Sequence, residues 1–313
     1  MITRYRDADL AYQDLIRYVD RHGEITHDRT GVGTKEVFAT AVGFDLEPDE
    51  VPVISLKRVF WKTAIKEMLL FLRGETRLEE FLRWDVHIWS EWPYRKFLDD
   101  LDKTRGDGVR TEITPIGLKL FEDQILSDPE FSKTWGDLGP IYGGTWRKWQ
   151  GNDGKIYDQV ADLVHALKHN PTSRRKLFSG WDYPKLGEMA LPPCHLLYQY
   201  HVRQDGRLES LLFQRSADCF LGVPFNWTGQ RALQMMLAKT CDLTPGDMFW
   251  IGGSTHLYTN HLEHIPTIES RWTRNNPRLI LKTKRNRLED YVIEDFEMVG
   301  YDPHPAISAQ VAV

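Results

Sequence analysis

Cysteine is scarce in this chain. Only Cys194, Cys219 and Cys241 occur among 313 residues. An odd number without paired spacing argues against a disulfide framework and for a reducing compartment. No CxxC pair occurs, and "GGSTHLYTNHLEH", with His256, His261 and His264, does not have zinc spacing, so no metal is expected. Long apolar runs are missing too. The longest, "EMLLFLRGE", is far too short to span a bilayer. The opening "MITRYRDADLAYQD" is polar and lacks a signal-peptide core. A cytoplasmic protein without a membrane partner is therefore expected. Nor does one sign of charge dominate: 40 Lys and Arg against 45 Asp and Glu give −5, which gives no support for a nucleic-acid partner. No repeat and no clear linker break the chain, so a single domain over 1–313 is expected.

Several elements can be read from periodicity. Residues 7 to 20 form an amphipathic helix ending near His22-Gly23, and "THDRTGVGTKEVF" follows as a Gly-punctuated loop. "VFATAVGFDL" and "VPVISLK" read as strands. In "KRVFWKTAIKEMLLFLRGE", Phe60, Ala64, Met68 and Phe71 recur at helical steps, and Gly74 can end the helix. Residues 93–135 are charged and turn-rich and read as a variable surface insertion that could hold a short helix. "IYDQVADLVHALKHNP" is a helix closed by Asn170-Pro171, and "RRKLFSGW" is a strand. "CHLLYQYHVRQDGRLESLLFQRS" reads as two long strands turning at Asp205-Gly206. "GQRALQMMLAKTCDL" is a third helix, and the tail holds one more strand and then a loop. Such a strand-rich middle resists βαβ alternation, so an α+β fold is expected.

The chemistry centres on "ALPPCHLLYQY". Cys194 follows two prolines and opens a strand, a rigid junction that suits a nucleophile with a fixed backbone. An inert buried thiol is the alternative. A neighbouring arginine, such as Arg215 of "FQRSADC", would favour the thiolate. Arg29, the pair Arg174 and Arg175, and Arg215 could grip a phosphate with non-titrating forks, or be solvated surface charges. Glu67 sits beside the apolar stripe of its helix, where a carboxylate needs partners; it could move protons or simply reach water. His256 and Tyr258 alternate along an extended stretch and could bind one sugar hydroxyl. The chain holds 11 tryptophans. Trp89 and Trp92 of "HIWSEWPY" could stack on a flat cofactor or be core aromatics.

"DRTGVGT", "ALPPCH", "FQRSADCFLGVPFN", "THLYTNH" and "YDPHPAI", in this order, resemble the thymidylate synthase family from near residue 10 to the carboxyl terminus. The resemblance implies a large mixed β-sheet with surrounding helices, packed back to back in a homodimer. It implies folate-dependent one-carbon transfer to C5 of a pyrimidine nucleoside 5′-monophosphate, with 5,10-methylenetetrahydrofolate as co-substrate. By the same resemblance Cys194 adds to C6 of the ring, and Glu67, Tyr142 and His195 arrange water and protons. Arg29, Gln214, Arg215, Ser216 and Asp218 match nucleotide-side residues. Arg174 and Arg175 match a pair that reaches the partner subunit's phosphate site. Asn226 matches the reader of O4 and N3, and His256 and Tyr258 match the sugar ligands. Ile88, Trp89, Trp92, Leu191, Asp218, Leu221, Gly222, Phe225 and Val313 match folate-side contacts.

The chain also departs from the synthase pattern. "WTGQ" follows Asn226 where a synthase reads near "IASY". Ser254 stands for aspartate, Asp182 for asparagine, and Ser90 for aspartate after Trp89. Trp227, Gln230, Ser254 and Asp182 are thus specificity candidates. Glutamine and serine at 230 and 254 look more like the family's 5-hydroxymethylases, while Asn226 rather than aspartate points to uridylate over cytidylate. The expectation is a dUMP 5-hydroxymethylase. Reductive methylation of dUMP to dTMP is the alternative, and a dCMP or CMP 5-hydroxymethylase stands further off. Non-enzymatic nucleotide or RNA binding is disfavoured, because Cys194 is kept together with Glu67 and Tyr142.

Overall fold

The structure is a computed structural model describing residues 2–27, 31–274 and 276–310. The chain opens with β1 (Thr3–Tyr5), α1 (Ala8–His22), β2 (Glu24–Thr26) and β3 (Thr34–Phe44), then α2 (Trp61–Leu72). Next come α3 (Leu78–Arg83), α4 (Glu91–Arg105), α5 (Pro115–Ser127), α6 (Pro129–Trp135) and α7 (Tyr142–Arg147), with a short hairpin of β4 (Trp149–Gln150) and β5 (Ile156–Tyr157). The remainder comprises α8 (Gln159–His169), β6 (Leu177–Ser179), β7 (His195–Val202), β8 (Arg207–Asp218), α9 (Gly222–Thr240), β9 (Thr244–Tyr258), α10 (Ile265–Ser270), β10 (Arg278–Leu281) and β11 (Phe296–Val299). Two compact units emerge. The first comprises residues 1–69, 159–179 and 194–312, and the second comprises 70–158 and 180–193.

Among the described residues, seven strands of the first unit form a mixed sheet in the order β1-β3-β9-β8-β7-β6, with β2 beside β3. This is the large mixed α+β sheet expected. Alternation sets its faces. Tyr198, Tyr200, Leu212, Gln214 and Trp250 point to the buried side, while Leu197, Leu211, Phe213, Phe249 and Ile251 are left half-buried on the other. Helix α9 runs along the buried face and is buried nearly all round, its polar Thr228, Gln230, Arg231 and Gln234 included. Helix α1 starts where the Asp7 carboxylate accepts the Asp9 and Leu10 N–H groups, and it buries Tyr12, Leu15, Ile16 and Val19.

Two expectations fail. Val51–Lys57 is not a strand, although Val51, Val53, Ile54 and Leu56 are buried. Part of its backbone is satisfied by a side chain, the buried Asp9 carboxylate accepting the N–H groups of Ser55 and Leu56 and the Ser55 hydroxyl, while the Val51 N–H donates to the Pro277 carbonyl. The 93–135 stretch, in the second unit, holds most of α4 and all of α5 and α6 rather than one short helix. Thr114 and Asp128 cap α5 and α6, each followed by a proline that presets the first turn. Phe97 meets Phe121, Phe131 and Trp135 at 5.6, 5.4 and 5.3 Å between ring centroids. The insertion therefore has an aromatic core of its own, drawn from α4, α5 and α6.

Candidate active site

Strand topology makes the site in the first unit. β8 and β9 run parallel, with Ser216 beside Ser254 and Asp218 beside His256, so both strands end at one edge. β7 is antiparallel to β8, so it begins at that same edge, with His195 opposite Gln214. The residue just before it is Cys194. Its carbonyl accepts the Arg215 N–H at 2.9 Å, which ties the thiol's backbone to the arginine's. Gly253 makes room for this stretch, since a Cβ there would stand 2.8 Å from the Arg215 carbonyl oxygen. None of the three cysteines is in a disulfide, and only Cys194 is half-buried. Burial pushes the Cys219 thiol far up and the Cys241 thiol up to about 11, so both stay protonated at neutral pH.

Behind Cys194 lies a chain of polar side chains. His195 Nδ1 and the Tyr198 hydroxyl are 3.0 Å apart. Strict alternation would put these two residues on opposite faces. A β-bulge between His195 and Leu197 makes Leu196 the extra residue, so both point inward. Burial holds the His195 imidazole down to about 4, partly offset by a hydrogen bond with Asn226, so the ring is neutral at pH 7. The Asn226 carboxamide oxygen accepts from Gln214 at 2.9 Å, and Gln214 in turn accepts from the Trp250 indole at 2.9 Å. At the other end, burial and then the Glu67 carboxylate raise Tyr198 far above the usual phenol range. Glu67 of α2 thus acts electrostatically on Tyr198, which meets His195, and His195 in turn meets Asn226 of α9. Tyr198 and Trp250 were not anticipated. The bulge hides Tyr198, and Trp250 has the same apolar strand setting as any core tryptophan.

The rim of this edge is charged and aromatic. Arg215 and Ser216 are half-buried, and His256 packs against Tyr258 at 5.2 Å. Asp218 accepts the Phe220 and Leu221 N–H groups, turning the chain into α9. Leu221, Gly222, Phe225 and Asn226 lie half-exposed on α9's opening turns, while Val223, Pro224 and Trp227 face the core. Lys57, also unanticipated, is 6% exposed, with its ammonium 4.5 Å from the Phe220 ring centre. Desolvation lowers it to about 8, against the pull of Asp218. His261 is buried beside Phe220 and Tyr258, and its Nε2 lies 2.8 Å from the Gln310 carbonyl.

The second unit holds Ile88, Trp89, Trp92 and Leu191 of the folate-side candidates. Trp89 is 4% exposed and meets Phe71, Phe81, Trp92 and Tyr142 within about 6 Å. Tyr142 starts α7 and packs on Phe71 and Trp146. Ile88 is exposed and Leu191 half-exposed, while Asp182 is buried before a 3-10 turn. Trp92 Nε1 is buried with no hydrogen-bond partner among the described residues. An orphan donor on an aromatic platform fits a flat heteroaromatic ligand with acceptor atoms.

Several candidates lie apart. Arg174 and Arg175 are exposed ahead of edge strand β6, next to Gln199, which donates to the Arg174 carbonyl. That is roughly 17 Å along β7 from Cys194 at strand rise, so one chain does not bring them to its own thiol. Trp227 is fully buried among Tyr12, Phe44 and Trp250. Gln230 is fully buried too, donating to the Phe249 carbonyl and the Ser210 hydroxyl between α9 and the sheet. Ser254 alone of these candidates reaches the site, with its Oγ 3.5 Å from His256 Nδ1. Arg29 and Val313 lie outside the described residues. Among the described residues no group of three or more His, Cys, Asp or Glu could hold a metal, and no helix is long and apolar enough to cross a membrane.

Known proteins match this chain in sequence over most of its length. The family model described as thymidylate synthase matches residues 10–313. A thymidylate synthase of Cereibacter sphaeroides is 48% identical over 302 residues, covering 96% of this chain and 98% of that protein. The thymidylate synthase of Zymomonas mobilis subsp. mobilis shows the same identity and coverage, and that of Rhodopseudomonas palustris is 47% identical over 98% of this chain and 100% of its own. With its mixed sheet and the half-buried cysteine at the head of β7, the chain belongs to the thymidylate synthase family.

Proposed function

We propose that the protein transfers a one-carbon unit from 5,10-methylenetetrahydrofolate to C5 of dUMP and completes the reaction by reductive methylation, giving dTMP. The observation that carries this reading is the half-buried Cys194 fixed through its carbonyl to Arg215. Arg215 and Ser216 bind the 5′-phosphate, and His256 and Tyr258 take the sugar hydroxyl. Asn226, oriented by Gln214 and His195, reads the ring at O4 and N3. The sulfur adds to C6 and moves electron density onto C5 and O4. Donors near O4 then stabilise the developing enolate. A neutral, buried His195 suits this step, because it can donate a hydrogen bond without placing a full positive charge beside the ring. Glu67, whose charge acts on Tyr198, would arrange the water and protons on this side of the ring.

The platform of Ile88, Trp89 and Trp92, with its orphan Nε1, would hold the pterin of the folate. Bound there, methylenetetrahydrofolate supplies both the one-carbon unit and the hydride that makes it a methyl group. The relatives named thymidylate synthase support this ending over the hydroxymethylation expected from Gln230 and Ser254. The Gln230 amide nitrogen is engaged with the sheet, while its carbonyl oxygen is buried with no partner among the described residues. The half-buried Leu197, Leu211, Phe213, Phe249 and Ile251 support a homodimer joined through the outer sheet face. Arg174 and Arg175 would then serve the partner subunit's phosphate site.

Mass spectrometry of the product from dUMP and methylenetetrahydrofolate tests the ending. A methylated nucleotide with dihydrofolate is expected. A hydroxymethylated nucleotide with tetrahydrofolate would overturn it.

A further inference from the structure

The insertion carries one buried side chain that its own aromatic core does not use. Helix α5 turns Phe121 and Ile125 inward, and between them Glu122, only 5% exposed. A carboxylate so buried is costly unless hydrogen-bonded. Glu122 accepts the hydroxyl of Ser90, itself fully buried, at 2.6 Å, and lies 3.0 Å from His87 Nδ1. His87 Nε2 lies 3.3 Å from Asp85, which has a left-handed backbone (φ 59°). Ser90 and His87 bracket Ile88 and Trp89, and Ser90 immediately precedes α4, which bears Trp92. One carboxylate from the insertion thus pins both sides of the aromatic platform. The distance to Ser90 is that of a charge-assisted bond, among the stronger kinds available to a side chain.

We infer that Glu122 is a positioning residue for folate, acting through Ser90 and His87 on the Ile88–Trp92 platform. The insertion is therefore part of the binding apparatus for that ligand. This rests on the folate reading above. Without the carboxylate the Ser90 hydroxyl is buried without its acceptor, and the bracketing turn loses its anchor, while the nucleotide residues on β8 and β9 are untouched.

The test is a double-mutant cycle with Ser90→Ala, Glu122→Ala and both together, with Glu122→Gln as the conservative variant. Folate affinity at saturating dUMP is read by tryptophan fluorescence, and both KM values are read by turnover. Each single alanine variant is expected to weaken folate about tenfold, with nucleotide affinity moving less than about twofold. The double variant should be no worse than Glu122→Ala alone. Glu122→Gln should recover most of the loss, because its carbonyl oxygen still accepts the Ser90 hydroxyl. A lowered melting temperature with folate affinity unmoved would overturn the inference, as would additive losses or equal losses for both ligands. Should Glu122→Ala not fold, Ser90→Ala and Glu122→Gln decide alone: unchanged folate affinity in Ser90→Ala overturns it. A wild-type protein that binds no folate would instead sink the functional reading.

Discussion

Helix α9 is held at two buried polar clusters, and they do different things. At its start, Asn226, Gln214, His195, Tyr198 and Trp250 form a chain of side-chain contacts ending beside a half-buried thiol. Further along, Arg231 donates to the carbonyls of Glu47, Glu50 and Gly246 at 2.7–2.8 Å and to Gln234 at 2.9 Å. Gln234 donates to the Leu208 and Asp247 carbonyls, and Gln230 to that of Phe249. The second cluster spends its donors on main-chain carbonyls and stitches the 47–50 loop to the strands. The first spends them on other side chains that converge on a reactive group. Burial of polar atoms alone does not mark a site; what the donors point at does.

The largest expected effect that would sharpen this contrast is Cys194→Ser. It should cost about a thousandfold or more in turnover, with the melting temperature and dUMP affinity nearly unchanged. Retained turnover would break the assignment of the first cluster. Arg231→Met should do the reverse. It orphans several buried carbonyls, so a loss of about 3–5 kcal/mol in chemical denaturation is expected, while the folded fraction keeps its kcat.

His195 gives a third test. Its folded pKa, about 4, lies below the unfolded value of 6.5, so the unfolded chain binds the proton first. Stability should therefore fall as pH drops from about 6.5 to 4, by up to about 3 kcal/mol from this one group. His195→Asn should flatten that part of the pH profile, and an unchanged slope would break the claim of a neutral ring. The smallest effect belongs to Gln230→Met, at about 1 kcal/mol or less. Its product should stay the same. A change in the ratio of methyl to hydroxymethyl product would move Gln230 from the stitching cluster to the reacting one.

Much of this was legible in the residues. Apolar steps at three and four located α1, α2, α8 and α9, and Asp205-Gly206 located the β7–β8 turn. Cys194, Arg215 and Asn226 stood out by their setting and by resemblance. The misses share a cause: periodicity sees neighbours along the chain and not across it. The strand expected at Val51–Lys57 is displaced by a carboxylate from Asp9, far away in sequence. Tyr198 is out of step with His195 unless the bulge is known. Phe97, Phe121 and Glu122 of α4 and α5 stayed hidden because their partners lie on other elements. Gln230 resembled a specificity residue because it departs from the family at a motif position, yet its amide faces a strand.

Leu196, the surplus residue at the head of β7, has a further consequence. Its carbonyl is taken by the Ser179 hydroxyl at 3.0 Å, so the kink is anchored rather than slack. A chain lacking Leu196 could pair regularly along this strand and keep its tyrosines inward. It would lose the extra coiling that a bulge imparts, and with it the angle at which sulfur is delivered. Folding competence and reactivity would come apart through the deletion of a leucine that takes no part in the chemistry.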